Sequence, residues 1–459
     1  MGKEFDITPR PVPPVETKYR RIATPLPHPD SVATLEKLRT HEPISMRGQP
    51  PLVWDRAEDI FVYDKHGNRW LDWSSGVLVA NAGHGIPELR QAIIDQAQSG
   101  LLHNYCFPSE ERAELVELLA SLAPTELNKV FLLTTGSEAT ECAIKLARTR
   151  GIRLGGKAKV GIVGFERGFH GRTLGAQQAG GMAPQKEWIV NLDPGIINAP
   201  FPDGYWQTDT RFQTFLDAIS RSGFEPKNIA GVIMETYQGV GPDFAPVPYV
   251  QEMAEWCRQN QVVLIFDEVQ AGFGRTGKFW AFEHYGVTPD VICCGKGITS
   301  SLPLSAVIGR EEILDQFGPG SMTSTHTGNP VCCAAAMASI KKIVGSGLTE
   351  NAARLEPVLK QGLEDLKQWF PQVIGHVTAR GLVGGVQIVK PGRKEPDHDL
   401  AHAIIERCFH KGLLMFAPVG AWGQTVKISP PLTIPREALE EGLEVLAQAT
   451  SEAVSALNL

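Results

Sequence analysis

Five short apolar runs in this 459-residue chain end on residues that can do chemistry. "KVFLLTT" leads into Gly136, Ser137 and Glu138; "KVGIVGF" is followed by Phe169, His170, Gly171 and Arg172; "IAGVIME" closes on Glu235; "VVLIFDE" carries Asp267, with Gln270 just beyond; and "VICCGKG" holds Lys296 between two glycines. Ligands of open α/β sheets bind outside the carboxyl ends of the strands, so these positions form one set of candidates. Their chemistry is complementary. A lysine in a partly desolvated site gives up its proton more readily and becomes an amine nucleophile and proton carrier. A fixed carboxylate such as Asp267 keeps a heteroaromatic nitrogen protonated. Small residues opening a helix, as in "TTGSEATECAIKLAR", leave backbone N–H groups for a phosphate, and Phe169 offers a face for stacking. An amine anchor, a carboxylate for a ring nitrogen, a phosphate cradle and an aromatic face are the parts that a pyridoxal 5'-phosphate site requires.

Taken singly, each feature has an ordinary structural explanation. A lysine between glycines is usually a solvated turn residue, an aspartate after a strand is often a helix cap, and "GSEA" is a variant capping box. The argument rests on five separate strand ends supplying complementary groups. A nucleotide reading competes through Gly272, Gly274 and Gly277, spaced G-x-G-x-x-G in "DEVQAGFGRTG". A dinucleotide loop opens a helix at once and has an acid at the end of the next strand. Here Asp267, Glu268, Val269 and Gln270 intervene, and Lys296 stands where the ribose acid belongs, so the glycines read as a turn.

The elements that must position these residues follow from periodicity. From about residue 129, apolar runs alternate with helical stretches, which implies an α/β fold on a parallel sheet covered on both faces. "VCCAAAMASIKKIV" reads as a long helix of small residues. Earlier, "IFVYDKHGNRWLDW" reads as a hairpin, while the first fifty residues, rich in proline, are expected to form an arm over the surface or a partner subunit. Beyond residue 345 the pattern is that of a smaller α+β unit. The composition, 42% hydrophobic and 21% charged with a formal net charge of -7, is that of a globular enzyme without a basic footprint, which argues against nucleic acid and anionic membranes as partners. No run reaches the roughly 18 apolar residues of a membrane span and the N-terminus has no apolar signal core, so a cytoplasmic location is expected. The eight cysteines lack C-x-x-C spacing and read as reduced thiols, and no metal site is expected.

The motifs "TTGSEA", "GFHGRT", "METYQG", "IFDEVQAGFGRTGKFWAFEHYGVTPDVICCGKGI" and "STHTGNPVCCAAA" resemble those of the class III pyridoxal-phosphate aminotransferases, the omega-aminotransferase group. The resemblance implies the fold of aspartate aminotransferase (fold type I): a large domain, set at 85–344, carrying a mostly parallel seven-stranded sheet, and a small domain built from 1–84, which includes the arm, and 345–459. It implies a homodimer, or a dimer of dimers, with active sites at the interface. Lys296 would hold the coenzyme as an imine, Asp267 would face the pyridine nitrogen, and Gln270 the ring hydroxyl. Gly136 and Ser137 would bind phosphate, with Thr325 from the neighbouring subunit. Val269 would lie under the ring opposite Phe169; His170 and Glu235 complete the coenzyme site, and Val77, Arg172 and Lys427 are candidates for substrate contact.

Two departures bear on the substrate. Relatives acting on 4-aminobutyrate carry a second glutamate in "EPVQGEGG" and a C-terminal arginine that grips the α-carboxylate of glutamate; here "ETYQGVGP" and "VKISPPLTI" place Val240 and Lys427 there. The expected activity is ping-pong transfer of an amino group from a primary amine or omega-amino acid to a 2-oxo acid, pyruvate or 2-oxoglutarate. A racemase, epimerase or decarboxylating aminotransferase on the same fold is the alternative, and a ligand-binding relative with a decayed site is opposed by intact Lys296, Asp267 and Gln270.

Overall fold

The computed structural model of the chain describes residues 3–456. It contains two compact units, one from Pro87 to Thr349 and one combining the chain up to Ile86 with the chain from Glu350 onward.

The Pro87–Thr349 unit is built on seven strands: β1 (Lys129–Leu133), β2 (Gly161–Phe165), β3 (Ile196–Ala199), β4 (Ile229–Glu235), β5 (Val263–Asp267), β6 (Val291–Cys294) and β7 (Ser305–Gly309). Their order is β1-β7-β6-β5-β4-β2-β3. Strand β7 is antiparallel to both β6 and β1, and the remaining pairs are parallel. Because β7 opposes both of its neighbours, β1 points the same way as β2, β4, β5 and β6. All five strands singled out by their terminal residues therefore deliver their carboxyl ends to one edge. Strands β3 and β7 are additions to the five runs read from the sequence.

Every residue of β4, β5 and β6 is buried, as continuous apolar runs between two helical layers should be. Helix α1 (Gly136–Gly155) follows β1 and packs Ala139, Ala143 and Ala147 into a core with Ile162, Ile233, Val263 and Ile265. Its small side chains at i+4 spacing let it lie close: a Cβ on Gly231 would come within 2.9 Å of the Ala147 methyl, and one on Gly151 within 2.2 Å of the Lys159 carbonyl. Helix α2 (Leu174–Ala179) follows the loop after β2, and α3 (Pro330–Gly345) is the helix of small residues, capped by Asn329.

The other unit holds a three-stranded antiparallel sheet (Ile374–Arg380, Val383–Ile388, Thr425–Ile428) and a six-stranded sheet containing the expected hairpin, in which Phe61–Tyr63 pairs with Arg69–Asp72. Buried Trp70 stacks on Phe409 at 5.5 Å and donates its indole N–H to the Phe409 carbonyl, joining the early chain to the late chain. The N-terminal fifty residues are more regular than an arm. Val15–Glu16 pairs with Arg21–Ile22, which joins Arg69, and Pro29–His41 is helical. The prolines permit this, because Pro29 occupies the first helical turn, where its missing N–H costs nothing. The His28 ring caps that helix by accepting the Asp30 N–H at 3.1 Å.

His28, Asp30 and His66 bring potential metal-ligand atoms within 4.8 Å of one another. The two imidazoles are stacked at 3.5 Å with planes 9° apart, so their in-plane lone pairs run parallel instead of converging on one point. The group acts as a cap and a stack. Ser75, Gly76, Val77 and Leu78 form a left-handed turn, with φ of 49°, 58°, 66° and 60°. For residues with a Cβ this conformation costs about 1–2 kcal/mol each, and it leaves Val77 exposed. No single helix among the described residues is long and apolar enough to cross a membrane.

Candidate active site

The start of α1 is shaped by a capping box. The Thr135 hydroxyl accepts the Glu138 N–H at 3.2 Å, and the Glu138 carboxylate accepts the N–H groups of Thr134 and Thr135, both at 2.9 Å. Glu138 is thereby a structural cap. The N–H groups of Gly136 and Ser137, first in the helix, have no intrahelical acceptor, the geometry that suits an anion. Gly136 is required by closeness, since a Cβ there would meet a Val269 methyl at 2.9 Å. Gly171 is required twice: its φ is +133°, and a Cβ would sit 2.2 Å from the Ser137 hydroxyl.

The centre of the site lies where β4 and β5 end side by side, with Glu235 and Asp267 in register. One Asp267 oxygen is 2.8 Å from His170 Nδ1, and the other accepts the Val269 N–H at 3.0 Å. Glu235 accepts the N–H groups of Phe169 and Gly239, each at 2.8 Å. Burial alone pulls the His170 pKa down, but the hydrogen bond and charge of Asp267, aided by Glu235, outweigh it and leave the imidazole more basic than usual. Burial, reinforced by the charge of Asp267, pushes Glu235 up to about 7. Lys296 is lowered from the ordinary lysine range by burial, against the pull of Asp267 and Glu235. It sits at φ +45°, a strained position for a residue with a side chain. This set can hold a protonated aromatic nitrogen against a fixed carboxylate and present an amine that gives up its proton more readily than an ordinary lysine.

The structure brings Gly136, Ser137, Phe169, His170, Glu235, Asp267, Val269, Gln270 and Lys296 to one sheet edge. Gln270 lies against Gly239, where a Cβ would fall 2.4 Å from its amide nitrogen. Phe169 is half-buried, with the exposed Arg172 guanidinium 5.6 Å from its ring centroid. Thr325 is exposed on the loop before α3 and makes no hydrogen bond to this cluster. Val77 and Lys427 belong to the other unit, where Lys427 is buried opposite Gly385. Gly272, Gly274 and Gly277 lie in a run of turns, with φ of +87° and +80° at the last two; no helix opens at the glycines, and only a short 3-10 helix follows at Ala281–Tyr285, in keeping with the rejection of a dinucleotide loop. Three contributors escape a reading of strand ends. Gly239 is one; Thr140 and Glu141, polar residues in the second turn of α1, are the others. Their only sequence signal is a hydroxyl and a carboxylate next to a run of small helix-packing residues.

The class-III aminotransferase family model matches residues 44–450. The chain is 35% identical to a probable 4-aminobutyrate aminotransferase of Bacillus subtilis, across 85% of this chain and 91% of that protein. It is 32% identical to a 5-aminovalerate aminotransferase of Pseudomonas aeruginosa, covering 88% and 94%. Among solved structures, an (S)-enantioselective omega-transaminase from Thermomicrobium roseum superposes with a TM-score of 0.84 at 30% identity, covering 92% and 99%. An amine transaminase from an uncultivated Pseudomonas species, solved in its pyridoxal-phosphate-bound form, does so with 0.81 at 27%, covering 88% and 95%. The chain belongs to the class-III aminotransferases, fold type I enzymes that work through pyridoxal 5'-phosphate.

Proposed function

We propose that the strand-edge cluster of the Pro87–Thr349 unit is the coenzyme site, and that the enzyme moves the amino group of an omega-amino acid or other primary amine to a short 2-oxo acid. The observation that carries this is the buried Lys296 amine, lowered in pKa, beside the His170–Asp267–Glu235 network. The residues fit the coenzyme. Gly136 and Ser137 supply unpaired N–H groups and a crevice that a Cβ would fill, and Asp267 supplies a carboxylate already fixed on both oxygens. When bound, the coenzyme provides an electron sink for the carbon that loses its proton.

The chain's own groups do the rest. Lys296 would hold the coenzyme through its amine and would carry the proton given up by the substrate carbon. Asp267 would face the ring nitrogen and favour its protonated form, and His170 holds Asp267 in place. Phe169 and Val269 would restrain the ring, and Gln270 would hold its hydroxyl. Glu235 holds the backbone of Phe169. Val240 and Lys427, in place of the glutamate and arginine of 4-aminobutyrate-type relatives, are the sequence departures that support ready use of apolar amines; Val77, exposed on its strained turn, is a further candidate for substrate contact. Arg172, exposed beside Phe169, is suited to a distal carboxylate. The exposed Thr325 supports a homodimer in which it completes the phosphate site of the partner.

Four outcomes are expected. Borohydride should fix the coenzyme on Lys296, and Lys296→Ala should abolish transamination while retaining weak coenzyme binding; a label on another lysine refutes the assignment. Glu235, raised from the ordinary 4.5 to about 7, contributes stability that is complete below about 4.5 and lost as pH rises to 7. The stability of coenzyme-free Glu235→Gln relative to the natural protein should thus climb over that window by at most about 3 kcal/mol and then level off. Thermal unfolding at a series of pH values reads this, and a flat difference excludes a proton held by Glu235. Pyruvate should rival 2-oxoglutarate in kcat/KM, since a lysine replaces a bidentate arginine contact and hydrogen bonds to charged groups contribute about 1.5–3 kcal/mol. Lys427→Arg should shift the ratio toward 2-oxoglutarate, whereas a strong preference for 2-oxoglutarate unchanged by the variant transfers the carboxylate to another residue. Finally, sedimentation of the active enzyme should give a dimer or a multiple of it, and Thr325→Ala should weaken coenzyme binding; a fully active monomer contradicts the shared site.

A further inference from the structure

Thr140 lies one turn beyond the start of α1, fully buried and outside the set of strand-end residues. Its hydroxyl stands 2.9 Å from the Ser137 carbonyl and 2.8 Å from the His170 carbonyl, so its one proton is shared between the helix start and the loop after β2. The next residue repeats the arrangement. One Glu141 oxygen accepts the Thr173 hydroxyl at 2.7 Å and the N–H groups of Gly175 and Ala176 at 2.7 and 3.0 Å. Ser137 itself accepts the Arg172 N–H at 3.4 Å. Three residues of α1 thus grip the segment 170–176. Thr140 is the one that reaches the residue whose ring touches Asp267.

We propose that Thr140 is a positioning residue that couples the phosphate-binding start of α1 to the His170–Asp267 pair, so that seating the phosphate also seats the group that holds the ring-nitrogen carboxylate. The inference rests on the coenzyme reading above. Its physical basis is the short lever between the two sites. The hydroxyl fixes the His170 carbonyl, Gly171 passes over Ser137 with no room for a Cβ, and the His170 ring is held between that backbone anchor and Asp267. Without the hydroxyl, the buried His170 carbonyl loses its donor, and the loop gains freedom to draw the ring away from Asp267. A helix that merely packed against the loop would not link the two sites in this way.

Thr140→Val removes the hydroxyl at nearly constant volume, and Thr140→Ser restores it. Coenzyme-free protein labelled with [15N]histidine reports the titration of His170 by NMR, with His170→Asn giving the assignment; tryptophan fluorescence reports affinity for added pyridoxal phosphate. In Thr140→Val, His170 should titrate at least about half a pH unit lower, because the Asp267 contact that raises it is loosened. Coenzyme affinity should fall about tenfold, as expected for loss of one hydrogen bond near a charged pair. Thr140→Ser should bring both values back toward those of the natural protein. If valine prevents folding, Thr140→Ala carries the same two measurements. An unmoved His170 titration in a folded variant, with or without weaker coenzyme binding, overturns the coupling. Failure of the natural protein to take up the coenzyme instead overturns the site reading, and the His170 measurement in the coenzyme-free protein still stands.

Discussion

A carboxyl group can be buried at the edge of a sheet only if both of its oxygens are satisfied; Asp267 meets that constraint, and the rest of the site is arranged around it. One oxygen takes the Val269 N–H and the other faces His170, whose imidazole is more basic than usual because of the contact. Holding the imidazole requires holding its loop. Glu235 takes the N–H on one side of it, Thr140 meets its carbonyl, and Glu141 fastens the segment beyond. Lys296 then feels two opposing influences, burial that favours the neutral amine and two carboxyl groups that favour its charge. Burial prevails, and the amine gives up its proton more readily than an ordinary lysine, as a proton carrier needs.

Close approach is the second condition, and glycine and alanine meet it. Helix α1 can start against the end of β5 because Gly136 leaves room for Val269, and the loop after β2 can cross Ser137 because Gly171 has no Cβ and a positive φ. Along the same helix, Ala139, Ala143 and Ala147 bring the helix axis near the sheet, so that residues of its second turn reach a loop on another strand. Left-handed backbone angles occur at Lys296 and at four successive residues around Val77, among other turns. Strain of this kind persists only where surrounding contacts over-determine it. At Ser75 such a contact is visible, its hydroxyl donating to the Ser429 carbonyl at 2.6 Å.

The two glutamates near the edge show why residue type alone does not define a role. Glu138, beside the first N–H groups of α1, is consumed in capping the helix and is only half-buried. Glu235 is buried, accepts two backbone N–H groups and is raised to about 7. Their side chains are chemically identical, and the difference lies in solvation. The same distinction separates the histidines: His28 caps a helix and stacks on His66, whereas His170 shares a buried contact with an acid.

Much of this was written locally in the chain. Continuous apolar runs of strand length, each ending on a polar group, specified a covered parallel sheet and the edge that binds, because burial on both faces forbids polar alternation and the strand ends are the first solvated positions. Lys296, Asp267, Gly136, Ser137 and Phe169 were legible for that reason. Other features had no local signature. The runs of β3 (IINA) and β7 (SAVIG) mix small or polar residues among the apolar ones, and the N-terminal strands and helix were masked by prolines whose positions happen to suit them. Gly239 matters only because Gln270 lies against it. Thr140 and Glu141 matter only because α1 passes beside the loop after β2, bringing together residues 30 or more positions apart in sequence. The sequence by itself determined which groups stand at the sheet edge, because side-chain type and strand length are local properties. Tertiary structure alone decided which are buried, paired and shifted in pKa, because desolvation and contact depend on what the rest of the chain packs around them.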